Sequence, residues 1–455
     1  MLLGTTRTPV RRLAAPFVAA ITLLLPLLPA SARARTWSAM PIEVHEWGVQ
    51  VFDLSGSGTG EPLPAHIHTP VDAPGAPVTH WSPPVRDLPE DTGDRAKPIL
   101  YFRLPGEPAG YDGVVPVSVE VGFAWGDATA WYPQADHACV PSAPVPERDV
   151  LLRWIASLAN DRFEKREEAT ARLSACGRTI RHVLEAAQTH DDPEVRSRIA
   201  ALLASYAGPQ LRWDHLLMRH SAPVFGRPEG ASATPSLPGE DLPEDHWVKV
   251  ARRVDAAYIG NGLEAEKYLF YEGRTAERPA VTAEALSEGR PERGPYRLTN
   301  RSAYPVHDLF LGDPVAVGFT YVEILNPGES VEVRMEPWGK RPSPGEKLLE
   351  RLATQPTADR GPGGALRDPA QPQGPTTQAW LHPDEARALL GIWGRDFFEG
   401  EGIRTVYRED PAALDEAMPL RIYTDMHHAI DLSRVGLVLV KGIGTPGGGV
   451  GGTRR

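Results

Sequence analysis

Apolar residues along this chain of 455 residues change their period twice. On either side of Asp149–Ser205 they come in short alternating runs, the signature of strands; within it they return every three or four residues. Leu151, Leu152, Ile155 and Leu158 share one helical face, Ile180, Val183, Leu184 and Ala187 another, and Val195, Ile199, Leu202 and Leu203 a last one. Asp161 with Glu164 has the form of a capping box, Gly177 of a left-handed stop, and Asp192-Pro193 of a cap followed by proline at the first helical position. Gly208-Pro209 closes the series. Four consecutive amphipathic helices are therefore expected.

The flanks predict strands. Over Ile42–Phe52, alternation puts His45, Trp47, Val49 and Val51 on one face and Glu46 on the other. Val115, Val117, Val119, Val121 and Phe123 share a face, and Gly126-Asp127 followed by Ala130–Tyr132 suggests a hairpin return. Further strands are expected over residues 268–271, 296–300, 306–311, 315–325 and 330–335. Asn326-Pro-Gly-Glu329 forms a type I or II turn between the last two. Many short strands separated by turn residues suggest a β-sandwich. Residues 340–378, rich in Pro, Gly, Ala and charge, read as a flexible linker. Pro383 opens a helix whose stripe is Ala386, Leu389, Leu390, Trp393 and Phe397, and strands follow to Val440. The expected division is a signal peptide (1–34), a β body in two parts (41–145 and 207–339), a helical insert (146–206), the linker (340–378), a small α+β unit (379–441) and a disordered tail (442–455).

Three resemblances refine this multidomain α+β reading. Phe163, Arg166, Glu167, Ala169, Leu173, Gly177, Leu184 and Asp192–Arg196 resemble HEAT-type repeats. That likeness implies protein binding. Four helices are at most two repeats, fewer than the three or so that bury a continuous core, so the insert should lean on the β scaffold or on a partner. The stretches around Leu298–Gly312 and Leu325–Val333 resemble immunoglobulin-like accessory domains. His45-Glu-Trp-Gly48, residues 97–102, 131–135, 268–273 and 298–302, and Trp393–Phe398 together resemble a group of secreted bacterial proteins that open with His-Glu-Trp-Gly. In that group a Thr follows the Gly, where this chain has Val49. The resemblance assigns no activity. It implies that residues 146–206 are inserted between Pro133 and Trp213.

Composition sets the compartment. Arg7, Arg11 and Arg12 precede an apolar run, Ala14–Leu28, too short to span a bilayer and followed by small-residue cleavage sites at Ala32 and Ala34. A secreted or periplasmic protein is expected, with no transmembrane segment in the mature chain. Residues 1–34 carry four arginines and no acids, so the formal net charge of −11 becomes −15 without them. That acidity argues against nucleic acid as a partner. The two cysteines, Cys139 and Cys176, either form a disulfide, worth about 4 kcal/mol in the chain-entropy picture, or remain thiols.

Candidate chemistry is sparse. His66-x-His68 has metal-ligand spacing if it lies on a strand, but no third ligand is identifiable. His45-Glu46 lacks the second histidine of a zincin helix; the pair offers either a packed imidazole beside Trp47 or, through Glu46, a general acid. No nucleophile elbow or dinucleotide loop is present. Trp125, Trp131, Trp213 and Trp247 offer faces for sugars, with core packing their plainer use. The leading expectation is a secreted binding or protein-interaction protein, its partner a protein or a cell-envelope polymer, with no cofactor and with His66 and His68 as surface histidines; a divalent metal at His66 and His68 belongs to the alternative. The alternative is an extracytoplasmic hydrolase, metal-assisted or carboxylate, using the His45/Glu46 and His66/His68 region.

Overall fold

Strand β1 (Ile42–Asp53) alternates as its sequence demands, and it sits near the middle of an eight-stranded sheet. A computed structural model describes residues 41–54, 63–70, 93–104, 114–139, 146–206, 208–221, 237–275, 277–286, 295–313, 318–337, 342–354, 379–400, 402–424 and 429–443. The expected signal peptide and most of the expected tail lie outside them. The described residues belong to one compact unit, Ala39–Arg455. They are β-rich, with 29% of the structure helical and 39% in strands.

With strands numbered in chain order, the neighbours of β1 are β17 (Ile430–Lys441), parallel to it, and β2 (Gly93–Arg103), antiparallel. Beyond β17 lie β15 (Arg404–Arg408), β12 (Val306–Asp313) and β13 (Gly318–Leu325); beyond β2 lie β9 (Leu269–Thr275) and β4 (Gly126–Tyr132). Two smaller sheets cover one face. The first contains β16 (Leu420–Thr424), β3 (Val115–Val121), β6 (Leu211–Arg219), β7 (Tyr258–Gly260) and β8 (Ala265–Glu266), with β5 (His137–Ala138) paired to β6. The second contains β10 (Val281–Ala285), β11 (Pro295–Asn300) and β14 (Ser330–Arg334). Ile42, Val44, Leu100 and Phe102 pack on the first, and Leu309, Leu311, Val438 and Val440 on the second.

Helices cover the opposite face. There Trp47, Val49, Ile99, Tyr101, Val435 and Leu437 meet α5 (Trp247–Ala251), α6 (Pro344–Ala353) and α7 (Pro383–Phe398). The sequence suggests a two-sheet sandwich; with these helices the arrangement has three layers. Two boundaries change for the same reason. Helix α6 lies inside the expected linker 340–378, where Ser343 and Glu346 form a capping box and Leu348 and Leu352 are buried, each contributing about 1.5–3 kcal/mol. The expected C-terminal unit 379–441 supplies β15 and β17 to the centre of the large sheet and β16 to another, so it is not a separate body.

The expected hairpin of β3 and β4 does not form, because the two strands belong to different sheets. The chain crosses between layers at Gly122–Trp125. Gln210 fixes that corner: its Nε2 donates to Phe123 O (3.0 Å) and Gly126 O (2.7 Å), and its Oε1 accepts from Phe123 N (2.6 Å). The turn after β13 is type II, with Gly328 at φ 73° and Glu329 N donating to Asn326 O.

The insert is helical as its periodicity predicts: α1 (Arg148–Ser157), α2 (Phe163–Ala175), α3 (Arg181–Ala186) and α4 (Pro193–Ser205), around a core of their own. A short helix, α8 (Pro411–Ala417), completes the set. Asp192 caps α4, accepting from Glu194 N, and Gly177 takes φ 68°. Asp161 does not cap α2; Arg162 occupies that position, and Asn160 Oδ1 accepts its N–H. The insert leans on the sheets through Asp127 of β4. Its carboxylate accepts from Arg178 N (3.2 Å), Thr179 N (3.1 Å) and Thr179 Oγ1. Cys139 and Cys176 are not bridged: Cys176 is buried in the insert core and Cys139 is exposed beyond β5.

Candidate functional site

Period two places Glu43 and His45 on the helix-covered face of β1, side by side. Register puts Arg103 of β2 opposite Glu43, and Tyr101 and Ser433 on either side of His45. Ser433 then holds the approach to α7, its Oγ donating to Trp380 O (2.7 Å) and accepting from Trp380 N (3.0 Å). That clamp delivers His382, the residue before Pro383, onto His45. The two imidazole rings stack with centroids 4.8 Å apart, and Trp380 stands edge-on to His45 at 4.6 Å.

Glu385, in the first turn of α7, organises the interior. It is fully buried, yet its oxygens are satisfied: Oε2 accepts from His45 Nδ1 (2.7 Å) and His382 N (2.9 Å), and Oε1 from Arg103 Nε (3.1 Å) and Nη2 (3.0 Å). Burial pushes the Glu385 pKa up, but the bond from His45 and the charges of His45 and Arg103 outweigh it, and the net shift is downward. An ionised Glu385 fixes the proton of His45 on Nδ1 and turns the lone pair to Nε2. Arg103 also pairs with Asp384 (3.0 Å), which in turn accepts from Asp255 N.

On the solvent side, His382 Nε2 meets Glu43 Oε2 at 3.0 Å. One ligand atom each from Glu43, His45 and His382 lies within 4.8 Å of the others. Two imidazoles and a carboxylate suit zinc or another borderline divalent metal. A buried carboxylate on the far nitrogen of a ligating histidine is the usual support for such a ligand. His45 is 2% exposed, while His382 and Glu43 are 28% and 41% exposed, so one side of the set is open to water. Donor atoms around a tetrahedral zinc stand roughly 3.3–3.6 Å apart, given bonds of about 2.0–2.2 Å.

Of the residues singled out in the sequence, only His45 belongs here. Glu46 is buried on the opposite face, where it pairs with Arg434 Nε and accepts from Tyr271 OH; Arg434 Nη1 also reaches Asp415 (2.6 Å). With its oxygens engaged across the sheet, Glu46 is no general acid for this site. His66 and His68 are elsewhere. His68 stacks on Tyr132 and bonds Glu264 Oε1 (2.8 Å), while His66 stands edge-on to the same ring. Pro64–Ile67 is a turn, so the period-two assumption behind their pairing fails, and among the described residues neither joins a group of three ligands. Burial first, then Arg252, lowers the His66 pKa to about 4. The missed residues had signals. Glu43-x-His45 is a same-face pair on a strand, and His382-Pro383-Asp384-Glu385 is a helix start with acids in its first turn. Only the tertiary fold joins segments some 340 positions apart. No family model, curated protein or solved structure matches this chain.

Proposed function

We propose that this chain is an exported metal-binding protein, its ion held by Glu43, His45 and His382, and that metal-assisted hydrolysis is the reaction this centre supports. The observation that carries the reading is the gathering of those three ligand atoms over the buried Glu385. Three protein ligands with an open side are the arrangement of catalytic rather than structural zinc, and an ion so held activates water. Export rests on the charged and apolar pattern of residues 1–34, and kinship with the His-Glu-Trp-Gly group on the stretches that share its pattern.

A second reading is favoured by the insert, which we take to be a HEAT-like pair. Leu152 and Phe163 are 44% and 58% exposed on its surface, and they suit a protein partner. The two readings separate in one experiment. Metal per chain is measured in protein purified without chelators, and ester, phosphate, peptide and glycoside substrates are screened before and after chelation and zinc return. The expected result is about one equivalent of zinc, at least tenfold weaker binding in His382→Ala, and hydrolysis lost and regained with the ion. Absence of stoichiometric metal, or binding unchanged in His382→Ala, overturns the site. Metal without hydrolysis of any substrate overturns the enzyme and leaves the binding protein.

A further inference from the structure

Across the large sheet from His45 lies a second concavity. A cleft of about 560 Å³ opens on the side of the small sheets, beside α8 and the corner between β3 and β4, lined among others by Gln50, Trp125, Glu277, Arg301, Tyr304 and Glu409. Its volume is in the range of small-ligand sites, roughly 300–1,000 Å³. The floor is polar and already ordered. Arg95 of β2, itself buried, holds both carboxylates, its Nη2 reaching Glu277 Oε1 and Glu409 Oε1 at 3.0 Å each. Gln50 Nε2 donates to Glu277 Oε2 (3.0 Å). Trp125, Tyr304 and Tyr407 are the aromatic members of the lining. Trp125 is half-buried on the corner between β3 and β4, which Gln210 bonds from within and Arg181 of the insert holds through Ala124 O (3.0 Å). Tyr304 is half-buried, its hydroxyl on Glu416 Oε2 (2.7 Å).

This chemistry narrows the ligand. Acids outnumber arginines along the lining, which disfavours phosphates and other anions. A floor of fixed charges disfavours a hydrocarbon chain. The floor carboxylates of Glu277 and Glu409 are already paired with Arg95, so they suit hydroxyl donors better than a second cation, and the lining fits a neutral molecule with apolar faces for the rings. We propose that the cleft binds a short saccharide chain, stacking on Trp125 and Tyr304 and donating hydroxyls to Glu277 and Glu409. The groups it meets are held before it arrives, so little ordering cost opposes binding. Of the four tryptophans noted in the sequence, Trp131, Trp213 and Trp247 are buried in cores, and Trp125 alone of them lines this cleft.

The test is calorimetric titration of the full chain with four trisaccharide probes: maltotriose, cellotriose, mannotriose and the trimer of N-acetylglucosamine. Inorganic phosphate and decanoate are the controls. At least one trisaccharide should bind with a Kd of about 1 mM or tighter. Trp125→Ala should weaken it about tenfold or more, and Trp125→Tyr should retain most of the affinity. His382→Ala should bind the same sugar unchanged, since that residue is on the other face, so failure of the metal centre and failure of the cleft are distinguishable. The proposal is overturned if none of the four binds at about 10 mM, if Trp125→Ala leaves the affinity unaltered while its thermal unfolding matches the parent, or if phosphate or decanoate displaces the sugar.

Discussion

Two buried carboxylates flank β1 and differ in what they neutralise. Glu385 of α7 meets β1 from the helix-covered face and sets the proton of His45, whereas Glu46 of β1 points to the small-sheet face and neutralises Arg434. Removing one member of a buried pair strands the other charge, at a cost of about 3–5 kcal/mol. Glu46→Ala should therefore lower the unfolding free energy by about 3 kcal/mol, the lower end, because Asp415 stays with Arg434. Its metal content should match the parent; loss of metal with little change in urea unfolding would reverse the roles assigned to the two faces. The separation of His45 from Glu46 was legible from the period of the strand alone. The fate of His66 was not, since nothing local reveals that it packs against Tyr132 near Arg252. Its proton binds the unfolded chain first, at the ordinary 6.5 rather than about 4. The stability linked to neutral His66 is thus complete above 6.5 and is lost as pH falls toward 4. His66→Asn should lose less unfolding free energy than the parent between those values. Identical slopes in the two proteins would mean that His66 is not held neutral by its burial and Arg252 in solution.

At the scale of elements, the insert is the most self-contained segment. Its helices were readable because amphipathic spacing is local, but its anchor was not, because Asp127 lies in a strand and makes its bonds to Arg178 and Thr179 across the fold. Residues 146–206 have their own core, and the bonds of Asp127 to Arg178 and Thr179 are lost with them. Replacing them by a short Gly/Ser loop should leave a body that still unfolds cooperatively by circular dichroism; a shortened chain without a transition would make the insert integral to the fold. The two cysteines give a finer test of the same packing. Burial, then Asp127, pushes the Cys176 thiol up to about 11, and the residue lies inside the insert core. A maleimide should label one thiol, Cys139, in the native protein and two after denaturation. A single cross-linked peptide in unreduced protein would instead restore the disulfide.

For the whole molecule, alternation and turn residues identified the strands but not their partners. β1 pairs with β17 in a register joining His45 to Ser433, and β3 leaves β4 for another sheet; both depend on contacts far apart in the chain. The Pro- and Gly-rich segment before Trp380 suggested a linker, while Leu348 and Leu352 made part of it a core helix. The candidate metal centre is a product of that same closure, since strand β1, strand β2 and the start of α7 converge only in the folded sheet. The most direct measurement is anomalous scattering from crystals of the full chain grown with zinc, recorded on both sides of the zinc edge. One strong peak is expected between Glu43, His45 and His382, with bonds of about 2.0–2.2 Å, vanishing in His382→Ala. A peak beside His66 and His68, or none at His45 while zinc is bound elsewhere, would contradict the account.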